Sequence, residues 1–411
     1  MPKLLSRTRT RTDYLAFLLS REWPVLVSAL GVVLGVVTLL PSALGLALSV
    51  IALALGTITL IRDVRLLRAR WSAYDFSTIA APFPCEELPP PLAYPDAHYL
   101  HIPNRGTVML SAEMDKALQG RRFTVEIDEE PYRLPARLRA TAPHVLPLQS
   151  RGRLVFNGNV LGMHGEPLPA TGTGPGAVRL HRARFFDGQC SNEVCSLRIT
   201  ETATGVEHDL RRHELVDSSG RVRPLSASTL ADLVGVSTIA VTTDGFLLAT
   251  VQSARNSASP LLLAPAGSGT LEPKDAEDRT DLTEIVRAAM ERELLEETGL
   301  RPEELLTTHV LGFGRWMERG AKPEFFGLTL LSVDSERVRG RKPVGAERLY
   351  TSAQVLVELD LAALGAQLGA GADLLTAPGL PPRLRDDGSV PLVLGVRAAA
   401  LWAAENGTAA G

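Results

Sequence analysis

Between Pro24 and Ile61 the chain runs 38 residues without a charged side chain. Apolar sequence of that length has to be removed from water, either in a protein core or in lipid. The break at "LLPSALG" divides it into segments 24–40 and 43–61, each close to the ~20 residues that carry a helix across a bilayer core. A secretory signal would be single, shorter and followed by a small-residue cleavage site, so two transmembrane helices in a hairpin are expected. Lys3, Arg7, Arg9, Arg11 and Arg21 precede the first segment, and Arg62, Arg65, Arg68 and Arg70 follow the second; the turn between is uncharged. The positive-inside rule then places the basic segment 1–23, and everything from residue 62 onward, on the cytoplasmic side of an inner (cell) membrane crossed twice. Gly31 and Gly35, then Gly45, Ser49, Ala52 and Gly56, suit close helix packing and a homo-oligomer formed through these helices. Such residues are also common in any span. No ionisable side chain interrupts the apolar stretch, which argues against an ion or proton pathway.

At 411 residues the chain is long enough for two or three domains with sizeable cores. Lys and Arg together number 43 against 46 Asp and Glu, so no basic excess supports direct nucleic-acid binding. Three cysteines cannot make a paired disulfide framework, and a reducing compartment follows. Cys190 and Cys195 lack a second Cys/His pair with zinc spacing. Residues 62–97 read as a linker ending in the proline-rich "PFPCEELPPPLAYP". Residues 98–227 read as a β-rich region, with "RFTVEI", "AVRLHRARFF" and "CSLRIT" at strand length and a short helix near Ser111–Leu118. The glycine-rich "TGTGPG" at 171–176 precedes a strand, so it is a turn and not a phosphate loop. This middle region displays no chemistry of its own.

From residue 228 to 402 the signals sharpen. "STIAVTTDGFLLATVQS" is two strands around an Asp244-Gly245 turn. An apolar strand and a loop containing Gly267 and Gly269 come next. Then "DLTEIVRAAMERELLEETGL" reads as a helix with Asp281 and Thr283 as candidate caps and Gly299 as its stop. On it Glu293, Glu296 and Glu297 stand at i, i+3 and i+4, so three like charges converge on one side. A solvated face is the ordinary explanation for glutamates on a helix. A divalent cation is the other: hard oxygen ligands in an open arrangement suit Mg²⁺ or Mn²⁺.

The order of parts favours the cation. The stretch resembles the Nudix box: Gly, five residues, Glu, seven residues, then Arg-Glu-aliphatic-any-Glu-Glu-any-Gly-aliphatic. Glu284, seven residues, and Arg292-Glu293-Leu294-Leu295-Glu296-Glu297-Thr298-Gly299-Leu300 match every later position. The resemblance implies an α/β/α sandwich, metal held by Glu293, Glu296 and Glu297 with Glu296 and Glu297 foremost, catalytic roles for Glu296 and the orienting Arg292, and a supporting acid at Glu284. It also implies a diphosphate hydrolase acting on a nucleoside diphosphate derivative, with a general base often outside the box. Glu318, Glu324, Glu336 and Glu347 are the candidates, and Glu347 is preferred. One position departs: Asp278 stands where the box has its first glycine, and Gly269, with 14 residues between it and Glu284, is the nearest equivalent. The charged "EPKDAEDRTD" between them is expected as a surface loop at the mouth of the site.

A helical hairpin, a β-rich middle and a C-terminal Nudix domain, with 403–411 as a tail, resemble the SMODS-associated NUDIX membrane effectors of CBASS antiphage systems. That resemblance implies a functional link to a CD-NTase, a cyclic nucleotide as ligand, the lipid bilayer as partner, and membrane disruption or cell death as output. The alternative is a membrane-tethered, Mg²⁺-dependent diphosphatase outside antiphage defence. Whether the cleft cuts a nucleotide or only senses one is open in the sequence.

Overall fold

The computed structural model describes residues 12–17, 23–37, 43–71, 73–79, 88–150, 155–167, 177–254, 256, 259–345, 347 and 350–407. The basic flank up to Arg11, Arg21, the residues 38–42 of the interhelical break, Cys85 and the "TGTGPG" turn lie outside them.

The apolar stretch forms two helices, α1 (Trp23–Val37) and α2 (Ala43–Trp71). They pair antiparallel: Gly56 of α2 faces Val32 of α1, and Ser28 donates to Asp63 at 2.8 Å. One of the small residues is thus used inside the hairpin, where a Cβ on Gly56 would sit 3.3 Å from Val32. Gly31 has open space beside it. Among the described residues no helix is long and apolar enough to cross a membrane. The expected span 24–40 is met by a helix of 15 residues, and α2 carries Arg62, Asp63 and Arg65 along its second half. The hairpin nevertheless leaves Val27, Leu30, Val33, Ile51, Leu55 and Ile58 exposed, each by more than half.

The largest sheet has nine strands and takes them from both sides of residue 228. In chain order they are β1 (His98–Ile102), β2 (Gly106–Leu110), β3 (Gly235–Val241), β4 (Phe246–Gln252), β5 (Leu263–Pro265), β6 (Gly267–Thr270), β7 (Leu305–Trp316), β8 (Lys322–Leu331) and β9 (Thr351–Glu358). The spatial order is β5-β4-β3-β8-β7-β2-β1, with β6 beside β3 and β9 beside β4. The β3–β8 pair is parallel and the others antiparallel. Asp244-Gly245 makes the expected turn between β3 and β4, with Gly245 at φ 83°.

Two helices cover this sheet on opposite faces. Strand residues alternate between them, as a period of two requires. Val236, Val310 and Phe325 join the core of Ile285, Ala289 and Met290. Ile239, Leu311 and Phe326 join that of Leu392, Val396 and Ala399. The first helix, α4 (Leu282–Thr298), carries the glutamates; the second, α5 (Val390–Asn406), closes the other face and runs past residue 402. A short helix, α3 (Ala112–Gly120), starts at a Ser111 cap as the sequence predicts.

The middle region is mixed, not simply β-rich. A 15-residue helix spans Ala136–Ser150, despite Pro143 and Pro147, whose rings argue against helix in the sequence. Two separate three-stranded sheets complete it. The parallel and antiparallel strands Val125–Asp128, Val178–Arg184 and Asn159–Met163 form one of them.

Candidate functional site

Helix α4 is placed by both its ends. The Asp281 carboxylate accepts from the N–H groups of Thr283 and Glu284 at its start, and also from Phe123 N–H at 3.0 Å. At its end Gly299 takes a left-handed conformation, φ 72° and ψ 20°, which stops the helix without the strain a side chain would bring. Ile285, Val286, Ala289, Met290 and Leu294 are buried against the sheet. This fixes the opposite edge of the helix, with Arg292, Glu293 and Glu297, beside β6.

Glu293 lies directly on Gly269. A Cβ there would fall 2.0 Å from Glu293 Oε1, so a larger residue at 269 would displace the Glu293 carboxylate from its place beside Arg292. Arg292 is held on every side. Its Nε and Nη2 donate to the two oxygens of Asp275 at 2.7 and 2.9 Å. Nη1 donates to Glu293 at 2.7 Å and Nη2 to the Thr270 carbonyl at 3.2 Å. The fork geometry makes this a charge-assisted, oriented contact. The insertion expected as a surface loop is exposed at Lys274 and over 277–280, and Glu272 lines the cleft; its short 3₁₀ turn, Pro273–Ala276, departs from that by burying Asp275 beneath Arg292. Its signal in the sequence was the capping pattern Glu272-Pro-Lys-Asp275, which the argument from surface charge overlooked.

The three box glutamates do not share one environment. Glu293 and Glu297 are buried and line a cleft of about 360 Å³. Glu296 has a side chain 41% exposed, lies 3.6 Å from both Lys274 and Arg292, and is absent from the cleft lining. Burial, then Glu293 and Glu347, push the Glu297 carboxyl well above the ordinary carboxylate range, with the Ser268 N–H pulling the other way. Its Oε2 is buried with no hydrogen-bond partner. Burial raises Glu293 too, against the pull of Arg292. Glu284 sits in the first turn of α4, away from the cleft lining.

The four base candidates separate by position. Glu336 is on the surface beside Arg339. Glu318 accepts from the Thr107 N–H at 2.7 Å, on the β1–β2 side. Glu324 lines the cleft but is paired with Lys322 at 2.5 Å. Glu347 lines the cleft with no ion pair among the described residues, and burial followed by the charges of Glu293 and Glu296 raises its carboxyl to about 7. Its segment is tied to α4, because Val344 N–H donates to the Glu296 carbonyl at 2.8 Å.

Among the described residues no three Asp, Glu, His or Cys side chains close around one point as a ready set of metal ligands. What the cleft does hold is a row of carboxylates that raise one another's proton affinity and an orphaned oxygen on Glu297. Both costs vanish beside a divalent cation, and hard oxygen donors are the chemistry Mg²⁺ and Mn²⁺ take. Glu293 and Glu297 are the buried members of that row.

Sequence reasoning missed the opposite wall. Arg319 and Lys322 also line the cleft, and Arg319 lies 5.0 Å over the Trp316 ring while its Nε donates to Glu193 at 2.7 Å. Burial, with Arg319 beside it, lowers the Lys322 ammonium's proton affinity. Cys190 and Cys195, by contrast, are buried core residues. Burial pushes the Cys195 thiol up.

No family model matches the chain, and no curated protein matches it. Among solved structures it is similar over part of its length to DR0079 from Deinococcus radiodurans, at 18% identity, 38% of this chain, 88% of that one and a TM-score of 0.23. It is also similar to Tm1382, named as "a putative Nudix hydrolase", at 15% identity, 34% of this chain, 64% of that one and a TM-score of 0.20.

Proposed function

We propose that this chain is a membrane-attached Nudix-type protein that takes a diphosphate-containing nucleotide into the cleft beside α4 and hydrolyses it. The observation that carries the reading is the row of mutually repelling carboxylates at Glu293, Glu297 and Glu347, with Arg292 locked alongside. A divalent cation held by Glu293, Glu297 and, after a side-chain movement, Glu296 would supply Lewis-acid polarisation of the phosphates and of the attacking water. Glu347, which lines the same cleft, would accept the proton of the attacking water as general base. Asp275 keeps Arg292, and through it Glu293, in place.

The exposed aliphatic face of α1 and α2 supports attachment to a lipid bilayer, since a surface of that size rarely stays in water. The basic residues flanking it favour the cytoplasmic side. Together with the order of parts, this supports the narrower reading of an effector in cyclic-nucleotide antiphage signalling, linked to a CD-NTase.

Purified full-length chain with Mg²⁺ or Mn²⁺ should release phosphate or a nucleoside monophosphate from at least one member of a nucleotide-diphosphate panel, and Glu297→Gln should not. Turnover undiminished in Glu297→Gln would sink the catalytic reading. In phage-challenged cells, protection that survives Glu297→Gln but not loss of residues 1–70 would make the hairpin the essential output and the cleft a sensor.

A further inference from the structure

The diphosphate reading uses only one wall of the cleft. The other comes from residues 155–193, ahead of the helix and sheet that define the box, and includes Val155, Phe156, Phe185, Gln189, Asn192 and Glu193. This wall is fastened in place. Asn192 Nδ2 donates to Asp232 Oδ1 at 2.8 Å, and the Asp232 N–H donates back to Asn192 Oδ1 at 2.8 Å. Asn192 also reaches the Gly320 carbonyl at 3.3 Å, and Glu193 holds Arg319. A wall tied down at both residues next to the cleft is rigid enough to select a ligand by shape and hydrogen bonding.

Gln189 stands in that wall, 3% exposed, and its Oε1 is buried without a hydrogen-bond partner. Across the same cleft Asn256 Oδ1 and Ser389 Oγ are in the same condition. Buried polar atoms are nearly always paired, so these three, which join Glu297 Oε2 and Trp316 Nε1 among the lining residues, call for an explanation. An apolar ligand would leave them unpaired. A ligand bearing N–H donors satisfies the amide oxygens, and a site built that way rejects analogues lacking the donor. Phe156 and Tyr350, edge to face with centroids 6.3 Å apart, add aromatic surface to the same cleft.

We propose that Gln189 is a specificity-determining residue, accepting a hydrogen bond from an N–H of the heteroaromatic end of the ligand while the diphosphate end lies against α4. This rests on the diphosphate reading above. It also means that the box-bearing half of the chain does not by itself make a complete site.

The test uses the full chain in detergent with Ca²⁺, which holds ligands without requiring turnover. Binding of inorganic pyrophosphate, ADP, GDP, CDP and UDP is measured by calorimetry for the wild type, Gln189→Leu and Gln189→Glu. The wild type should prefer one base by about tenfold or more, and Gln189→Leu should shrink that preference below about threefold with pyrophosphate binding unchanged. Gln189→Glu, which keeps the acceptor, should retain the preference. An undiminished preference in Gln189→Leu, or no preference in a wild type that binds pyrophosphate, overturns the proposal and leaves the diphosphate reading standing. Absence of pyrophosphate and nucleotide binding in the wild type overturns both. If Gln189→Leu loses pyrophosphate binding as well, Gln189→Glu decides: a retained preference supports the proposal and a lost one overturns it.

Discussion

The two walls of the cleft are built by opposite logic. The α4 wall is local: a single helix with a capping aspartate, a terminal glycine and three glutamates within five positions. The facing wall is assembled from Gln189, Asn192 and Glu193, which belong to short helical turns and touch Asp232, Gly320 and Arg319 from distant parts of the chain. The first wall repeats one charge and is destabilised by it. The second balances its charges, Glu193 with Arg319 and Glu324 with Lys322. Repulsion that is left standing raises the proton affinity of its carboxylates, whereas balanced charge holds its shape with or without a ligand.

The largest effect should come from the α4 side. Glu347→Gln should lower turnover by about 10²–10⁴-fold with little change in stability, as removal of a general base does. Loss of less than tenfold in steady-state assays would take Glu347 out of the reaction. Next is Asp275→Asn, which leaves Arg292 half-paired in a buried setting. It should cost about 3–5 kcal/mol in denaturant unfolding, and an unchanged midpoint would show that Asp275 is not needed to hold the arginine.

The acid row should also write itself into the pH dependence of stability. With its folded carboxyl at about 7, above its unfolded value, Glu347 binds a proton more tightly in the folded chain. Without metal, its contribution is present at acid pH and is lost as pH rises toward and through 7. Mg²⁺ should therefore raise the melting temperature more at pH 8 than at pH 5. An equal shift at both would separate the carboxylates from metal binding. A separate effect concerns the hairpin. Leu30→Asp with Leu55→Asp should weaken flotation of the full chain with vesicles, each charge costing about 2.5–3.5 kcal/mol in the bilayer interior. Unaltered flotation would detach the membrane reading from this surface.

How much could be read before the structure follows the same division. Gly299, the Asp281 cap, the Asp244-Gly245 turn and the convergence of Glu293 and Glu297 are all consequences of spacing within one element, and sequence carries spacing directly. The need for glycine at 269 was legible as a departure from the box but not as a contact. Only the packing of β6 on α4 puts Glu293 where a methyl group would be. The helix at Ala136–Ser150 was hidden by its two prolines, because tertiary burial of Leu138, Ala142, Val145 and Leu146 outweighs local propensity there.

The sequence by itself determined the helix, its caps, its acidic edge and the long uncharged stretch at the N-terminus, since each depends on residues a few positions apart. Tertiary structure alone decided that Glu296 is left more exposed than Glu293 and Glu297, that Asp275 folds under Arg292, and that Glu347 and not Glu324 is left unpaired in the cleft. It also decided that the middle region supplies the second wall. Those outcomes depend on which distant side chains reach a charge first, and no local pattern records that competition.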